Sequence, residues 1–253
     1  MNPQFLMPAW PAPAMVRGAC TLRGGGVSRA PYESLNLGEH VGDEQEAVAD
    51  NRASVRRSLQ LPCEPLWLSQ VHGSHVIVAD RIDGPSTDAP RGDAAITSQP
   101  GKVLAVMVAD CLPVLLCRRD GAGVAVAHAG WRGLVAGVLE ATVAAFGVPG
   151  EQLLAWLGPA IGQEHFEVGD EVRSAFCDRD AGAASAFLMN SRKRWQCDLH
   201  ALARQRLQRA GVASIDAAAR CTYADAQSFY SHRRDGVCGR FAALIWIASA
   251  RAP

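Results

Sequence analysis

Two apolar stretches near the middle of the chain most constrain what it can fold into. Residues 102–110 read KVLAVMVAD and residues 124–127 read VAVA, and the apolar run in each does not alternate with polar residues. A strand of this kind is buried on both faces of its sheet. Residues 113–117, PVLLC, predict another strand between them. The centre of the chain is therefore predicted to form buried strands, connected by the turn RRDGAG.

Other parts of the chain show helical periodicity or short apolar runs. In the helix predicted from 198 to 211, Asp198 is the N-cap, Leu199, Leu202 and Leu207 form the apolar side, and Gly211 ends the helix. Helices and strands follow one another without a regular βαβ order, which favours an α+β fold. The remaining predicted elements are helices at 43–61 and 131–146, strands at 66–80 (interrupted at Gly73) and 241–248, a strand that leads into a turn within 153–162, and a loop at 84–93.

Composition excludes several classes of protein. The chain has 25 Lys and Arg against 25 Asp and Glu, so no basic excess predicts a nucleic-acid or membrane surface. The 8 cysteines include no Cys-x-x-Cys pair, which indicates reduced thiols and not a disulfide framework. The apolar run 103–117 is too short to span a bilayer and contains Asp110 and Pro113. We expect a cytoplasmic protein.

The length of 253 residues fits one large domain or two small ones. We predict a single domain over 1–253, because no low-complexity linker or internal repeat divides the chain. Residues 1–19 are rich in proline and lack a basic first segment, so we expect an extended N-terminal segment and no signal peptide.

Three side chains with metal-binding chemistry lie at or just beyond the ends of predicted strands. They are His72, Cys111 and His128, and each is followed closely by a turn former. If the strands were neighbours in one sheet, the three side chains could meet at its edge. Two imidazoles and a thiolate suit Zn²⁺, and three protein ligands leave a fourth position for water or substrate. Zinc would lower the pKa of such a water towards about 7.

The residues alone leave other interpretations open. Cys111 is separated from His72 by 39 positions, and no short Cys/His motif is present. Cys111 could be a buried structural thiol, with both histidines bonded to backbone groups. Cys111 could also be a catalytic nucleophile with His128 as its base. His75 competes with His72, because the two would point to opposite faces of an unbroken strand.

The segment GWRG after His128 suggests an anion site. Backbone N–H groups at a helix start, together with Arg132, could bind a phosphate or carboxylate. The alternative is that the glycines allow close packing and that Arg132 is solvated. A further basic turn, SHRRDG at 231–236, is expected to be solvated.

Longer segments resemble a known family. The ADC of residues 109–111 precedes HAGWRG, with Cys111 and His128 separated by 17 positions. Together with RGGGVSRAPYESLNLGEHVGDE, SQVHGSHV, WLGPAIGQEHFEVGDEV and CTYADAQSFYSHRRDGVCGRF, these motifs resemble the YfiH-type family. That family is also called multicopper polyphenol oxidase, laccase-domain or peptidoglycan-editing-factor proteins. The resemblance covers about residues 20 to 248.

The resemblance implies a fold, a metal site and an activity. The fold is a layered α/β/β/α arrangement with mixed sheets, similar to the cysteine-hydrolase-like deamidase toxins. The zinc ligands map onto His72, Cys111 and His128, which leaves His75 outside the site. The activity is phosphorolysis of adenosine, inosine and methylthioadenosine, with adenosine deamination. A multicopper oxidase is not favoured, because the chain contains no His-x-His pair; copper is the less favoured metal.

Beyond the ligands, the role assignments are hypotheses. Asp110 and Glu167 are candidates for proton transfer, and Arg23 and Arg132 for binding phosphate. We expect a monomer whose partners are a purine nucleoside and phosphate. One alternative is an amidase that edits a peptidoglycan precursor with zinc or Cys111. Another is a non-catalytic envelope or division partner with a structural metal, which an open coordination position disfavours.

Overall fold

The structure is a computed structural model that describes residues 2–82 and 89–249; residues 83–88 of the chain, most of which belong to the predicted loop 84–93, lie outside it. The helices are α1 Gln45–Ser58, α2 Trp131–Ala136, α3 Val138–Ala145, α4 Asp170–Cys177, α5 Leu199–Arg209 and α6 His232–Asp235. The strands are β1 Phe5–Leu6, β2 Val16–Thr21, β3 Val76–Val78, β4 Ala94–Thr97, β5 Val103–Val108, β6 Leu112–Arg118, β7 Val124–Ala129, β8 Leu153–Leu157, β9 Glu167–Val168, β10 Phe187–Met189, β11 Trp195–Cys197, β12 Ser214–Ala217 and β13 Phe241–Ile247.

Two sheets form the centre of the molecule. The first has the strand order β1-β2-β13-β5 and is antiparallel throughout. The second has the order β12-β8-β6-β7-β4-β3 and is mixed, because β12 pairs in parallel with β8 and β3 with β4. Strands β10-β11-β9 form a third, small antiparallel sheet. The mixed and antiparallel sheets agree with the predicted α+β class.

The buried side chains show how the layers stack. Alternate residues of β5 face opposite ways: Ala105 packs with Val55 of α1, whereas Val106 packs with Leu115 and Val126 of the six-stranded sheet. The other face of the six-stranded sheet packs against α3 and α5. The order is thus helix, sheet, sheet, helices. This α/β/β/α order explains the uninterrupted apolar character of the central strands; the likeness to cysteine hydrolases stays a prediction.

Helix α5 follows its sequence pattern closely. Asp198 caps the helix by accepting a hydrogen bond from the Ala201 N–H at 2.9 Å. Leu199, Leu202 and Leu207 are buried, and Gly211 follows the helix with a φ of +88°. The predicted cap, apolar side and terminating glycine are confirmed.

Two local predictions were wrong. The strand predicted from residue 66 is regular only at Val76–Val78, because Leu66 and Ser69 form isolated bridges and His72 has a φ of +60°. The single helix predicted at 131–146 is two helices, because Gly137 adopts a φ of +90° and separates α2 from α3. α2 therefore has only 6 residues.

Among the described residues, no helix combines the length and apolar character needed to cross a membrane. The single domain over 1–253 and the extended segment 1–19 stay predictions. Within that segment, β1 and the first residues of β2 join the four-stranded sheet.

Candidate functional site

The candidate site lies at one edge of the six-stranded sheet. Cys111 directly precedes β6, whose register pairs Leu112 with Ala129 of β7. His128 therefore lies in the neighbouring strand, close to Cys111. Strand β4 runs antiparallel to β7, and β3 runs parallel to β4, so both begin at the same edge. The segment that carries His72 reaches this edge just before β3.

The three predicted side chains meet there. The imidazole nitrogens of His72 and His128 and the Sγ of Cys111 all lie within 4.8 Å of one another. The two imidazole rings are edge to face, with centroids 4.8 Å apart and planes at 77°. Among the described residues, this is the group of His, Cys, Asp or Glu that could hold a metal ion. Ligands of a tetrahedral zinc lie about 3.5 Å apart, so small side-chain rotations would complete the site.

Exposure differs across the three side chains. His128 is buried with 3% of its surface exposed, Cys111 is half-buried, and His72 is exposed. The group is therefore closed on the side of the sheet and open towards solvent beside His72. Three donors with one open side fit a metal ion that keeps a free coordination position.

Asp93, at the residue before β4, contacts both histidine-bearing segments. Its carboxylate is fully buried, and its Oδ1 accepts a hydrogen bond of 2.9 Å from His128 Nδ1–H. The same carboxylate accepts hydrogen bonds from the backbone N–H groups of Val71, His72 and Gly73, at 3.2, 2.8 and 2.7 Å. Burial alone would raise the pKa of Asp93, but the bonds from His128 and Gly73 outweigh it and lower that pKa. The carboxylate is therefore ionised.

Cys111 and His128 stabilise each other's charged forms. Burial alone would raise the pKa of the Cys111 thiol, but the charge of His128 and hydrogen bonds from both imidazoles lower it to about 6. Burial alone would lower the pKa of His128, but Cys111 and Asp93 raise it to about 9. Between these two values the metal-free site holds a thiolate beside an imidazolium.

The pKa of Cys111 predicts its reactivity in metal-free protein. We expect the rate of its alkylation by iodoacetamide to rise with an apparent pKa near 6, because the thiolate is the reactive form. The rate can be followed by mass spectrometry of the peptide that contains Cys111. The urea-denatured chain is the control and should show a value of about 8.5. An apparent pKa near 8.5 in the folded, metal-free protein would contradict the thiolate–imidazolium pair.

Gly130 makes the close approach of Cys111 possible. A Cβ at position 130 would lie 2.7 Å from Cys111 Sγ and 3.5 Å from His72 Cδ2. Real Cβ atoms essentially never come within 3.0 Å of a neighbour, so any larger residue would displace the thiol. The first glycine of HAGWRG is thus explained by packing against the site.

Known proteins resemble this chain over most of its length. Residues 17–248 match the family described as multi-copper polyphenol oxidoreductase laccase. The chain belongs to this family. It is 52% identical to a Pseudomonas aeruginosa protein named purine nucleoside phosphorylase, over 96% of this chain and 98% of that protein. It is 49% identical to Escherichia coli purine nucleoside phosphorylase YfiH, over 96% of this chain and 99% of that protein.

A solved crystal structure has the same fold as this chain. The crystal structure of a Neisseria meningitidis protein superposes with a TM-score of 0.92 and 46% identity, and covers 97% of this chain and 99% of that one. The YfiH-type, laccase-domain membership inferred from the motifs is confirmed.

The arginines proposed to bind phosphate differ in how far they are already engaged. Arg132 is exposed, with its guanidinium carbon 4.3 Å from the ring centroid of Trp131. Arg23 donates hydrogen bonds to the carbonyl oxygens of Glu33 and Ala226, so its guanidinium joins two loops. Because α2 has only 6 residues, the dipole of a long helix does not support the predicted anion site at its start. Arg132 has the freer guanidinium of the two.

The basic turn at 231–236 is a short helix, α6, and its arginines differ in role. Arg234 donates to the carbonyl oxygens of Thr222, Tyr223 and Phe229, so it supports the fold. Arg233 is exposed, and its guanidinium donates to the carbonyl oxygen of Glu167 at 2.9 Å.

The two carboxylates suggested for proton transfer lie in different environments. Asp110 precedes Cys111 with a φ of +88°, and its carboxylate accepts hydrogen bonds from Thr222 Oγ1 at 2.6 Å and the Arg233 N–H at 2.7 Å. These contacts stabilise the turn at Asp110, which places Cys111 at the site. Glu167 forms an ion pair with Arg192 and accepts a hydrogen bond from Asn190. Their proposed role in proton transfer stays a prediction.

Two features of the site, the contacts of Asp93 and the steric role of Gly130, were not predicted from the sequence. Asp93 stands in the segment GDAAIT, directly before an apolar strand, as Asp110 does after β5. The sequence therefore contained a signal for Asp93. A carboxylate directly beside a buried strand lies at the end of that strand, where the other site residues were expected. Its contact with His128 depends on the pairing of β4 with β7, which no short-range pattern revealed.

Proposed function

We propose that the chain is a zinc-dependent purine nucleoside phosphorylase that also deaminates adenosine. The observation that carries the proposal is the His72–Cys111–His128 group, buried on one side and open on the other, in a chain about half identical to proteins named purine nucleoside phosphorylase. Structural zinc sites are usually closed by four protein ligands, whereas this group offers three. The proposed nucleosides are adenosine, inosine and methylthioadenosine.

The donor set supports zinc over copper. Two imidazoles and one thiolate are ligands that Zn²⁺ accepts in tetrahedral sites. The name of the family refers to several copper ions, but the described residues bring one group of three ligands together. Zinc bound there would supply a Lewis acid beside the open position.

The two proposed reactions make different demands on the chain. In phosphorolysis a phosphate oxygen forms a bond to C1′, the bond from C1′ to the purine nitrogen breaks, and that nitrogen takes the electron pair. In deamination a water oxygen adds at C6 of adenine, and the amino group leaves as ammonia after gaining a proton. The Nδ1–H of His128 is donated to Asp93 in a hydrogen bond, and Nε2 would bind the metal, so a different group must move the proton in each reaction. Asp110 and Glu167 are the candidates that we propose.

The function can be tested with purified protein of known zinc content. We expect inosine and phosphate to yield hypoxanthine and ribose 1-phosphate, and adenosine to yield inosine and ammonia. Chromatography of the bases and nucleosides would detect both reactions. A chelator should remove both activities, and zinc should restore them. A fully zinc-loaded protein that forms neither product would contradict the proposal.

A second candidate function rests on Cys111, His128 and Asp93 as a group. A thiolate beside an imidazole that is itself oriented by a carboxylate is the arrangement of cysteine hydrolases. Such a group could cleave an amide, and the amidase that we propose as the alternative acts on a peptidoglycan precursor, which is the substrate that the family resemblance implies. The two candidates make opposite predictions about the metal, since a zinc-bound thiolate is a poor nucleophile. An amidase that uses free Cys111 would be activated by chelation and inactivated by alkylation.

Arg132 provides a prediction about phosphate. Arg132→Ala should raise the KM for phosphate about 10- to 100-fold, because loss of a charge-assisted contact costs roughly 1.5–3 kcal/mol. Deamination of adenosine uses water and should change much less. Steady-state kinetics with varied phosphate would measure both effects in the same preparation.

The control for this experiment is Arg57→Ala, which removes an exposed arginine from α1, the helix that packs on the four-stranded sheet and not on the sheet that carries the site. It should leave the KM for phosphate unchanged. If Arg132→Ala also leaves it unchanged, phosphate binds elsewhere, and Arg23 or the Arg233–Arg234 pair becomes the next candidate. A cytoplasmic location and a monomeric state stay predictions.

A further inference from the structure

Asp93 lies between the two histidines of the candidate metal site and is hydrogen-bonded to both segments that carry them. We propose that Asp93 is the positioning residue of this site, which directs one nitrogen of His72 and one of His128 at a common point. The proposal rests on the metal-dependent function proposed above. It assigns a role to a residue that is not itself a ligand.

The first step concerns His128. An ionised carboxylate has no proton to donate, so it can only accept hydrogen bonds. The 2.9 Å contact between Asp93 and Nδ1 therefore places a proton on that nitrogen. The other ring nitrogen, Nε2, is the one that can bind a metal ion, once it loses the proton that it carries in the metal-free imidazolium. The backbone supports the same arrangement, since the His128 N–H donates to the Asp93 carbonyl oxygen at 2.7 Å. A carboxylate partner of this kind fixes the ring and makes the ligand more basic.

The second step concerns His72, which is exposed and lies on a loop. Its φ of +60° is an unfavourable backbone conformation for a residue other than glycine. The N–H groups of three consecutive residues, Val71, His72 and Gly73, converge on the carboxylate of Asp93. This contact holds the loop in the strained conformation. It thereby fixes the backbone position from which the His72 side chain reaches the site.

The third step concerns the charge. The Asp93 carboxylate is fully buried, and its ion-pair partner among the described residues is His128. Four hydrogen bonds, from His128 Nδ1–H and from three backbone N–H groups, compensate for the burial of this charge. A positive metal ion bound to His128 and His72 would add charge opposite to that of Asp93. The buried negative charge beside the two imidazoles is therefore suited to a site that binds a cation.

The test compares Asp93→Asn with a matched control, Asp80→Asn. Asp80 also accepts hydrogen bonds, from Thr97 and Ser98, and belongs to the turn after β3, not to the site. Zinc dissociation constants would be measured by competition with a chromophoric chelator. Asp93→Asn should bind zinc about 10- to 100-fold more weakly than the wild type, the usual loss for an outer partner of a metal ligand. Asp80→Asn should bind zinc as the wild type does.

Each outcome decides the proposal. If wild-type protein binds zinc and Asp93→Asn binds it equally well, Asp93 only supports the fold, and the positioning role is overturned while the proposed function stands. If the wild type binds no zinc, both proposals are overturned.

A second measurement needs no variant, in case Asp93→Asn fails to fold. Nitrogen-15 NMR of the zinc-loaded wild type should show His128 protonated at Nδ1, with a slowly exchanging proton, and metal-bound at Nε2. Protonation at Nε2 would overturn the proposal.

Discussion

Replacing His72 with alanine should abolish zinc binding and both proposed activities, whereas His75→Ala should leave all three close to wild-type values. His72 is one of three donors within 4.8 Å of one another, and His75 is exposed and lies outside that group. Loss of an outer partner of a metal ligand already costs about 10- to 100-fold in affinity, so loss of a ligand should cost more than about 100-fold. Phosphorolysis and deamination should fall together, because both depend on the metal.

The pair of variants separates a ligand from a structural histidine. His72 is exposed, so its truncation should change the stability of the metal-free protein by less than about 0.5 kcal/mol. Zinc content, both activities and the melting temperature of metal-free protein would be measured for each variant. A His72→Ala protein that keeps zinc and activity would show that the cluster of donors is not the active site. If His72→Ala and His75→Ala lost zinc and activity equally, the cause would be a changed conformation of the loop that carries both residues and not the loss of a metal ligand.

Cys111 and His128 could be singled out from the sequence because each stands beside a buried strand and a turn, whereas the choice of His72 over His75 came from the resemblance to the family. The reason first given for their meeting was partly wrong. It required the strands at 102–110 and 124–127 to be neighbours in one sheet, but β5 and β7 belong to different sheets. The residues still meet, because the chain passes from one sheet to the other at Cys111. The next strand, β6, then pairs directly with β7.

Other features required pairing between distant strands and could not be read from local patterns. Asp93 reaches His128 only because β4 lies beside β7. The engaged state of Arg23 depends on carbonyl oxygens of Glu33 and Ala226, the second more than 200 residues away in the chain. The break between α2 and α3 does not depend on distant strands, since Gly137 stands inside the predicted helix 131–146 and is local to it. The apolar periodicity on both sides concealed its positive φ.

Gly130→Ala should weaken zinc binding, although no donor is removed. Gly130 has φ −67° and ψ 166°, a conformation that alanine adopts without strain. The effect of the added methyl group is therefore confined to its contacts. The nearest atom is Cys111 Sγ at 2.7 Å, which is closer than real Cβ contacts allow. The thiol must move away, and the distances from Sγ to the two imidazoles must change.

We expect Gly130→Ala to bind zinc more than about 10-fold more weakly, and to lose about 1–3 kcal/mol of stability from overpacking. Chelator competition and urea denaturation of the metal-free protein would measure the two effects. Gly24→Ala is the control, because a Cβ there meets no atom within 4 Å, and it should change neither value. Wild-type zinc affinity in Gly130→Ala would mean that Cys111 can move without loss of the metal. Such a result would remove the thiol from the ligand set and favour its role as a nucleophile, since a free thiolate oriented by His128 does not need a fixed distance to His72.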